Sequence, residues 1–254
     1  MKPRLLHIWA VLILNLLASH CTAPAATYNR QTYLGDGAAG VVGSGSLSLS
    51  NSASTVYAGF NRGAGSFIDN LVMFIDSVPG GYTSTGVFSD NANAQQIAIS
   101  GNGLSRSTAN FAPGFAADYA VVVSVNYGSG VYKMVDDGTG PHLQLVHNFN
   151  LAPPGDPNST QFYWQFAWAD IGLANANTNF FKFETSLITA TGSRYLQSFE
   201  GLTGTAGWNT ITFTNYDTFG VQPVPENTSM ALAVFGGIVA VVVVTSRLRR
   251  SRVI

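Results

Sequence analysis

From Phe162 to Trp168 the chain reads Phe-Tyr-Trp-Gln-Phe-Ala-Trp, so that Phe162, Trp164, Phe166 and Trp168 alternate with Tyr163, Gln165 and Ala167. Successive side chains leave a strand on opposite sides, and a period of two is therefore the mark of a strand with one buried face. Rings of this size, Trp164 and Trp168 above all, are expected to fill a core. Shorter runs repeat the pattern. Leu47 and Leu49 alternate with Ser46, Ser48 and Ser50, Val56 to Phe60 forms another run, and Leu71-Val-Met-Phe-Ile75 is continuously apolar between turn signals, as in a strand covered on both faces. Ile97 and Ile99 predict a short strand before Gly101-Asn-Gly103. Ala117 to Val125 and Val131 to Val135 predict a hairpin across Asn126-Tyr-Gly-Ser-Gly130.

Phe180 to Glu184, Arg194 to Phe199 and Thr210 to Thr214 supply the last strands, and residues 152–160, rich in Pro, Gly and Asn, form a surface loop. No stretch between Tyr28 and Val221 sustains a helical period. About ten strands at this spacing predict an all-β fold, a two-sheet antiparallel β-sandwich of jelly-roll-like form over residues 27–222, with a wide barrel as the alternative.

The ends have a different composition. Lys2 and Arg4 precede the apolar run Ile8 to Ala18, and Ala23-Pro-Ala-Ala26 follows, the layout of a secretory signal peptide over residues 1–26. Cys21 lacks the flanking residues of a lipidation site and would leave with that segment. It is the only cysteine, so the mature chain is expected to have neither a disulfide nor a Cys-ligated zinc. At the other end residues 230–245 carry no charge. At a helical rise of about 1.5 Å per residue they span about 24 Å, close to the ~30 Å hydrocarbon thickness once flanking residues contribute. Arg247, Arg249, Arg250 and Arg252 follow, a cluster expected to stay on the cytoplasmic side.

Pro225-Glu226, a short apolar segment and an arginine cluster in that order resemble the PEP-CTERM sorting signal of Gram-negative bacteria, over residues 223–254. The resemblance implies export, a transient membrane anchor, processing by an exosortase-type membrane enzyme at the Pro-Glu motif, and delivery to the cell surface or the extracellular space. Pro225, Glu226, Arg247, Arg249 and Arg250 are the residues that carry it. Here the motif reads Pro225-Glu226-Asn227, without a second proline. The alternative is an ordinary C-terminal anchor.

Charge excludes one class of partner. Six of the twelve Lys and Arg residues lie at the two ends, whereas all thirteen Asp and Glu residues lie between Asp36 and Glu226, so the exported portion carries about −7. Its bases, at Arg30, Arg62, Arg106, Lys133, Lys182 and Arg194, are scattered singly, which excludes a nucleic-acid footprint.

Few residues suggest chemistry. His142 and His147 have no neighbouring ligand cluster, and neither a nucleophile elbow nor a phosphate loop is present. No catalytic residue, cofactor or metal is therefore assigned. Asp136 and Asp137 are weak calcium candidates in a Gly-rich turn. Asp69, Asp76, Asp118 and Asp170 are acid/base candidates for a polysaccharide-degrading enzyme, against the simpler reading of strand-end caps.

The runs around Asn70 to Asp76, Pro113 to Ala120 and Phe166 to Gly172 resemble the strand motifs of DOMON-like and related carbohydrate-binding β-sandwich modules. That resemblance implies a fold more than a function. Sugar rings have apolar faces that stack on exposed aromatics, which makes Tyr82, Tyr127, Tyr163 and Trp208, near Gly- and Asn-rich turns, the ligand-binding candidates. The expectation is a non-enzymatic, exported cell-envelope or extracellular-matrix protein that binds polysaccharide. The alternatives are a secreted polysaccharide-degrading enzyme and a purely structural surface protein.

Overall fold

The structure, a computed structural model, describes residues 30–35, 40–103, 105–174, 179–203 and 210–220. The predicted signal segment 1–26, the sorting residues Pro225, Glu226, Arg247, Arg249 and Arg250, the apolar span 230–245 and Trp208 lie outside them. Among the described residues no helix is long and apolar enough to cross a membrane.

Two antiparallel sheets form the frame. The smaller runs in the order β1 (Arg30–Leu34), β2 (Ser46–Asn51), β3 (Thr55–Asn61) and β9 (Gln161–Ala167). The larger runs β11 (Tyr195–Ser198), β10 (Phe180–Ile188), β4 (Asn70–Asp76), β6 (Tyr119–Ser124), β7 (Ser129–Asp136) and β8 (Pro141–Phe149), with β14 (Asp217–Gly220) also paired to β10. Alternation places Leu47, Leu49, Val56, Phe60, Phe162, Trp164 and Phe166 on the inner face of the smaller sheet, where they meet Leu71, Met73, Ile75, Val121, Val123, Phe181 and Phe183 of the larger. Full burial of each such side chain is worth roughly 1.5–3 kcal/mol, so this interlayer core is what holds the sheets face to face.

The larger sheet is covered on its second face as well. Val72, Phe74, Ala120, Val122, Tyr132 and Met134 pack there against Phe88, Ile99, Phe111, Phe115, Ile211 and Phe213. The covering layer is built from the segment after β4 and from a small sheet of β12 (Leu202–Thr203), β13 (Ile211–Phe213) and β5 (Ala109–Asn110). The pairing of β13 with β5 is parallel. This second layer is the physical reason why Leu71-Val-Met-Phe-Ile75 contains no outward polar residue.

One element departs from expectation. Residues 94–99, with the Ile97/Ile99 alternation that predicted a strand, form helix α1 (Ala94–Ile99). Asn93 caps it by accepting from the Gln96 amide at 2.9 Å, and the Gln96 side chain accepts in return from the Ala92 amide at 3.0 Å. That reciprocal pair satisfies the Gln96 amide of the first turn and the Ala92 amide just before the cap, and Ala98 and Ile99 are buried against the central sheet. The predicted hairpin forms as β6 and β7, joined through Val125–Gly128.

Candidate functional site: the outer face of the smaller sheet

The smaller sheet has a core on one side only, and its outer face is ordered by register into three rows. Arg30, Ser50, Tyr57 and Gln165 stand side by side across the four strands; Thr32, Ser48, Gly59 and Tyr163 form the next row; Leu34, Ser46, Asn61 and Gln161 form the third. Arg30 is the sole formal charge in these rows.

Tyr57 and Tyr163 are diagonal neighbours, 43% and 50% exposed. Gly59 explains how the second ring lies: a Cβ at this position would stand 3.2 Å from two carbons of the Tyr163 ring and 3.0 Å from Ser48 Oγ. With glycine there, the Tyr163 ring rests low over the β3 backbone. Its hydroxyl is 2.5 Å from Gln161 Oε1, to which it donates. The result is a low aromatic platform rimmed by hydroxyl and amide groups, suited to a ligand with an apolar face and hydroxyl edges.

The platform borders two depressions. One, about 180 Å³, lies over β2 and β3 beside Arg30, Ser48 and Ser50. The other is a groove of about 740 Å³ between β9 and β8, the edge strands of the two sheets, lined among others by His147, Phe149, Asn150, Trp164, Gln165 and Asp170. Tyr57 and Tyr163 line both.

The sequence candidates do not converge. Tyr163 is on the platform. Tyr127 is 48% exposed in the β6–β7 turn, where its carbonyl accepts from Gln95. Tyr82 is half-buried with its ring 4.7 Å from Phe88, in the layer covering the opposite face of the larger sheet. Tyr57 was not singled out in the sequence. The signal that could have found it is the period of β3, which turns Val56, Ala58 and Phe60 inward.

The carboxylates are occupied locally. Asp69 accepts from the Ala190 amide, Asp76 from the Ala116 amide and Lys182 Nζ, Asp118 from the amides of Ser77 and Val78 at 3.0 Å, and Asp170 from the Ala167 amide at 2.8 Å. All four cap chain segments at strand ends. Asp136 and Asp137 fold back on their own turn: Asp136 accepts from the amides of Gly138 and Gly140, and Asp137 from the amide and hydroxyl of Thr139. Those bonds, and then His142, hold the Asp137 carboxyl below its usual range. Among the described residues no group of three or more His, Cys, Asp or Glu side chains is placed to hold a metal ion.

Two further acids, missed in the sequence, are fully enclosed. Glu184 accepts from the Ala112 amide at 2.9 Å and Glu200 from the Thr185 amide at 2.6 Å, and the second oxygen of each has no partner. Burial raises the Glu184 carboxyl to about 8 and raises Glu200 well above its ordinary value. Neither lies among the groove-lining residues.

No family model, curated protein or solved structure matches the chain.

Proposed function

We propose that this is an exported protein of the cell envelope or extracellular matrix, with a jelly-roll-like β-sandwich body that binds polysaccharide on the outer face of its smaller sheet without cleaving it. The observation that carries the binding reading is the paired, exposed Tyr57 and Tyr163 on a nearly uncharged sheet face, set among Ser48, Ser50, Asn61, Gln161 and Gln165. Export rests on the sequence pattern of the two ends: a signal peptide over residues 1–26, and Pro225-Glu226, the uncharged apolar run 230–245 and the arginines Arg247, Arg249 and Arg250 as a PEP-CTERM-like signal. An exosortase-type enzyme is the proposed processing partner, and the membrane holds the intermediate.

Shallow aromatic stacking gives affinities of about micromolar to millimolar, because a few kcal/mol of contact energy barely exceeds the cost of association. The test presents the detergent-purified full chain to neutral and acidic polysaccharides. The expected outcome is retention on a neutral polysaccharide that falls at least tenfold in Tyr57→Ala and in Tyr163→Ala, with no reducing sugar released. Retention unchanged in both variants removes the platform. Sugar release abolished by Asp170→Asn makes the protein an enzyme instead.

A further inference from the structure

The groove beside the platform is built from two strand edges. In β9 the odd-numbered residues turn their peptide groups away from β3. Tyr163 exchanges both of its backbone hydrogen bonds with Ala152, at 2.9 and 2.7 Å, and the Ala167 amide donates to Asp170 Oδ2. Gln165, between them, directs its amide and carbonyl to the same side, where no strand pairs with β9 among the described residues. Trp164 also lines the groove. It is 4% exposed, and its indole Nε1 is a buried donor without an acceptor. That nitrogen has almost no accessible surface and its ring belongs to the interlayer core, so Trp164 closes the floor of the groove and the peptide groups of Gln165 are polar groups left facing a ligand.

The lining is otherwise apolar, hydroxyl-bearing or amide-bearing, with Asp170 and His147 as its acidic and basic side chains. At about 740 Å³ the groove exceeds what one ring stacked on Tyr163 would occupy, and falls within the roughly 300–1,000 Å³ of small-ligand sites.

We infer that the groove is the continuation of the platform, a cleft that holds an internal stretch of several units of a neutral, hydroxyl-rich polysaccharide, with the outward Gln165 peptide groups bonding sugar hydroxyls over a floor formed by Trp164. This rests on the platform reading. A chain enters along Tyr57, crosses Tyr163 and continues between β9 and β8, so binding depends on length. Acidic chains are disfavoured by Asp170 and by the net charge of about −7 on the exported portion.

The experiment measures affinities of the full chain for cello-, xylo- and manno-oligosaccharides of one to six units and for polygalacturonate, with Gln165→Pro and Tyr163→Ala alongside. Gln165→Pro removes the amide that faces the groove, and an edge strand tolerates proline where its N–H points outward. The expected results are an affinity that rises about tenfold or more between two and four units in at least one neutral series, no binding of polygalacturonate, and a Gln165→Pro loss of about five- to tenfold with the β-type circular dichroism spectrum retained, the share of one hydrogen bond. A disaccharide bound as tightly as a hexasaccharide, or full affinity in Gln165→Pro, overturns the cleft. If Tyr163→Ala still abolishes binding in that case, the platform alone stands. If no neutral series binds the intact protein, both readings fall.

Discussion

At the level of single residues, the covering layer decides what a side chain means. Lys182 and Glu184 leave β10 on the same face, and Lys182 reaches Asp76 near the surface, at 2.9 Å. Glu184 is instead enclosed, because the second face of the larger sheet is itself roofed, a property of residues far away in sequence that no local period reports. The consequence is a pH dependence of defined sign. A carboxyl whose value rises from 4.5 unfolded to about 8 folded binds more protons in the folded state, so its contribution is fully present below about pH 4.5 and is lost as pH rises through about 8. Glu200 acts in the same direction. Denaturant titrations are expected to show stability falling between pH 5 and 8, and Glu184→Gln, which keeps the acceptor for Ala112, is expected to be more stable than the natural chain at pH 8 by on the order of 3 kcal/mol, with little difference at pH 4.5. Parallel pH curves for the two proteins would show that Glu184 titrates normally. Tyr163 was legible because it alternates with large inward rings. The period of β3 turns Tyr57 outward, but its place diagonal to Tyr163 became visible only through the register of β3 against β9.

At the level of elements, strands with one buried face were legible and elements with a different environment were not. β2, β3 and β9 carry strict alternation because the smaller sheet faces the core on one side and solvent on the other. β8 was not anticipated: from Gln144 to Asn148 both of its faces are exposed, so Leu145 and Val146 obey no period, and a register shift interrupts its pairing with β7. Asp90 caps the outward Leu143 amide of this edge at 3.1 Å. Helix α1 was misread because six residues hold fewer than two turns, too few for a 3.6-residue period to show, while two isoleucines two apart imitate a strand. Its start was nevertheless encoded in Asn93 and Gln96. Asn93→Ala is expected to lower stability by about 1 kcal/mol and to leave the β-type circular dichroism spectrum intact. An unchanged denaturation midpoint would mean that tertiary packing alone holds the helix.

At the level of the whole molecule, two apolar cores share one sheet. β4 and β6 contribute Leu71, Met73, Ile75, Val121 and Val123 to the core between the main sheets, and Val72, Phe74, Ala120 and Val122 to the core under the covering layer. Alternate residues of the same backbone therefore serve both, and stripping either layer exposes one face of strands whose other face is still packed. Such an arrangement predicts one cooperative transition rather than two. With Cys21 the only cysteine, that transition is expected to be the same with and without reductant. The discriminating pair is Phe60→Ala, in the first core, and Phe213→Ala, in the second, each removing a fully buried ring at a cost of about 3–5 kcal/mol. Both are expected to move a single unfolding transition to lower denaturant, followed by far-UV circular dichroism and by tryptophan fluorescence, with Trp164 and Trp168 in the first core reporting on it directly. Coincident curves from the two probes in both variants are the expected outcome. In Phe213→Ala, an early step seen by circular dichroism but not by fluorescence would show that the covering layer unfolds by itself, and the central sheet would then owe its cooperativity to the first core alone.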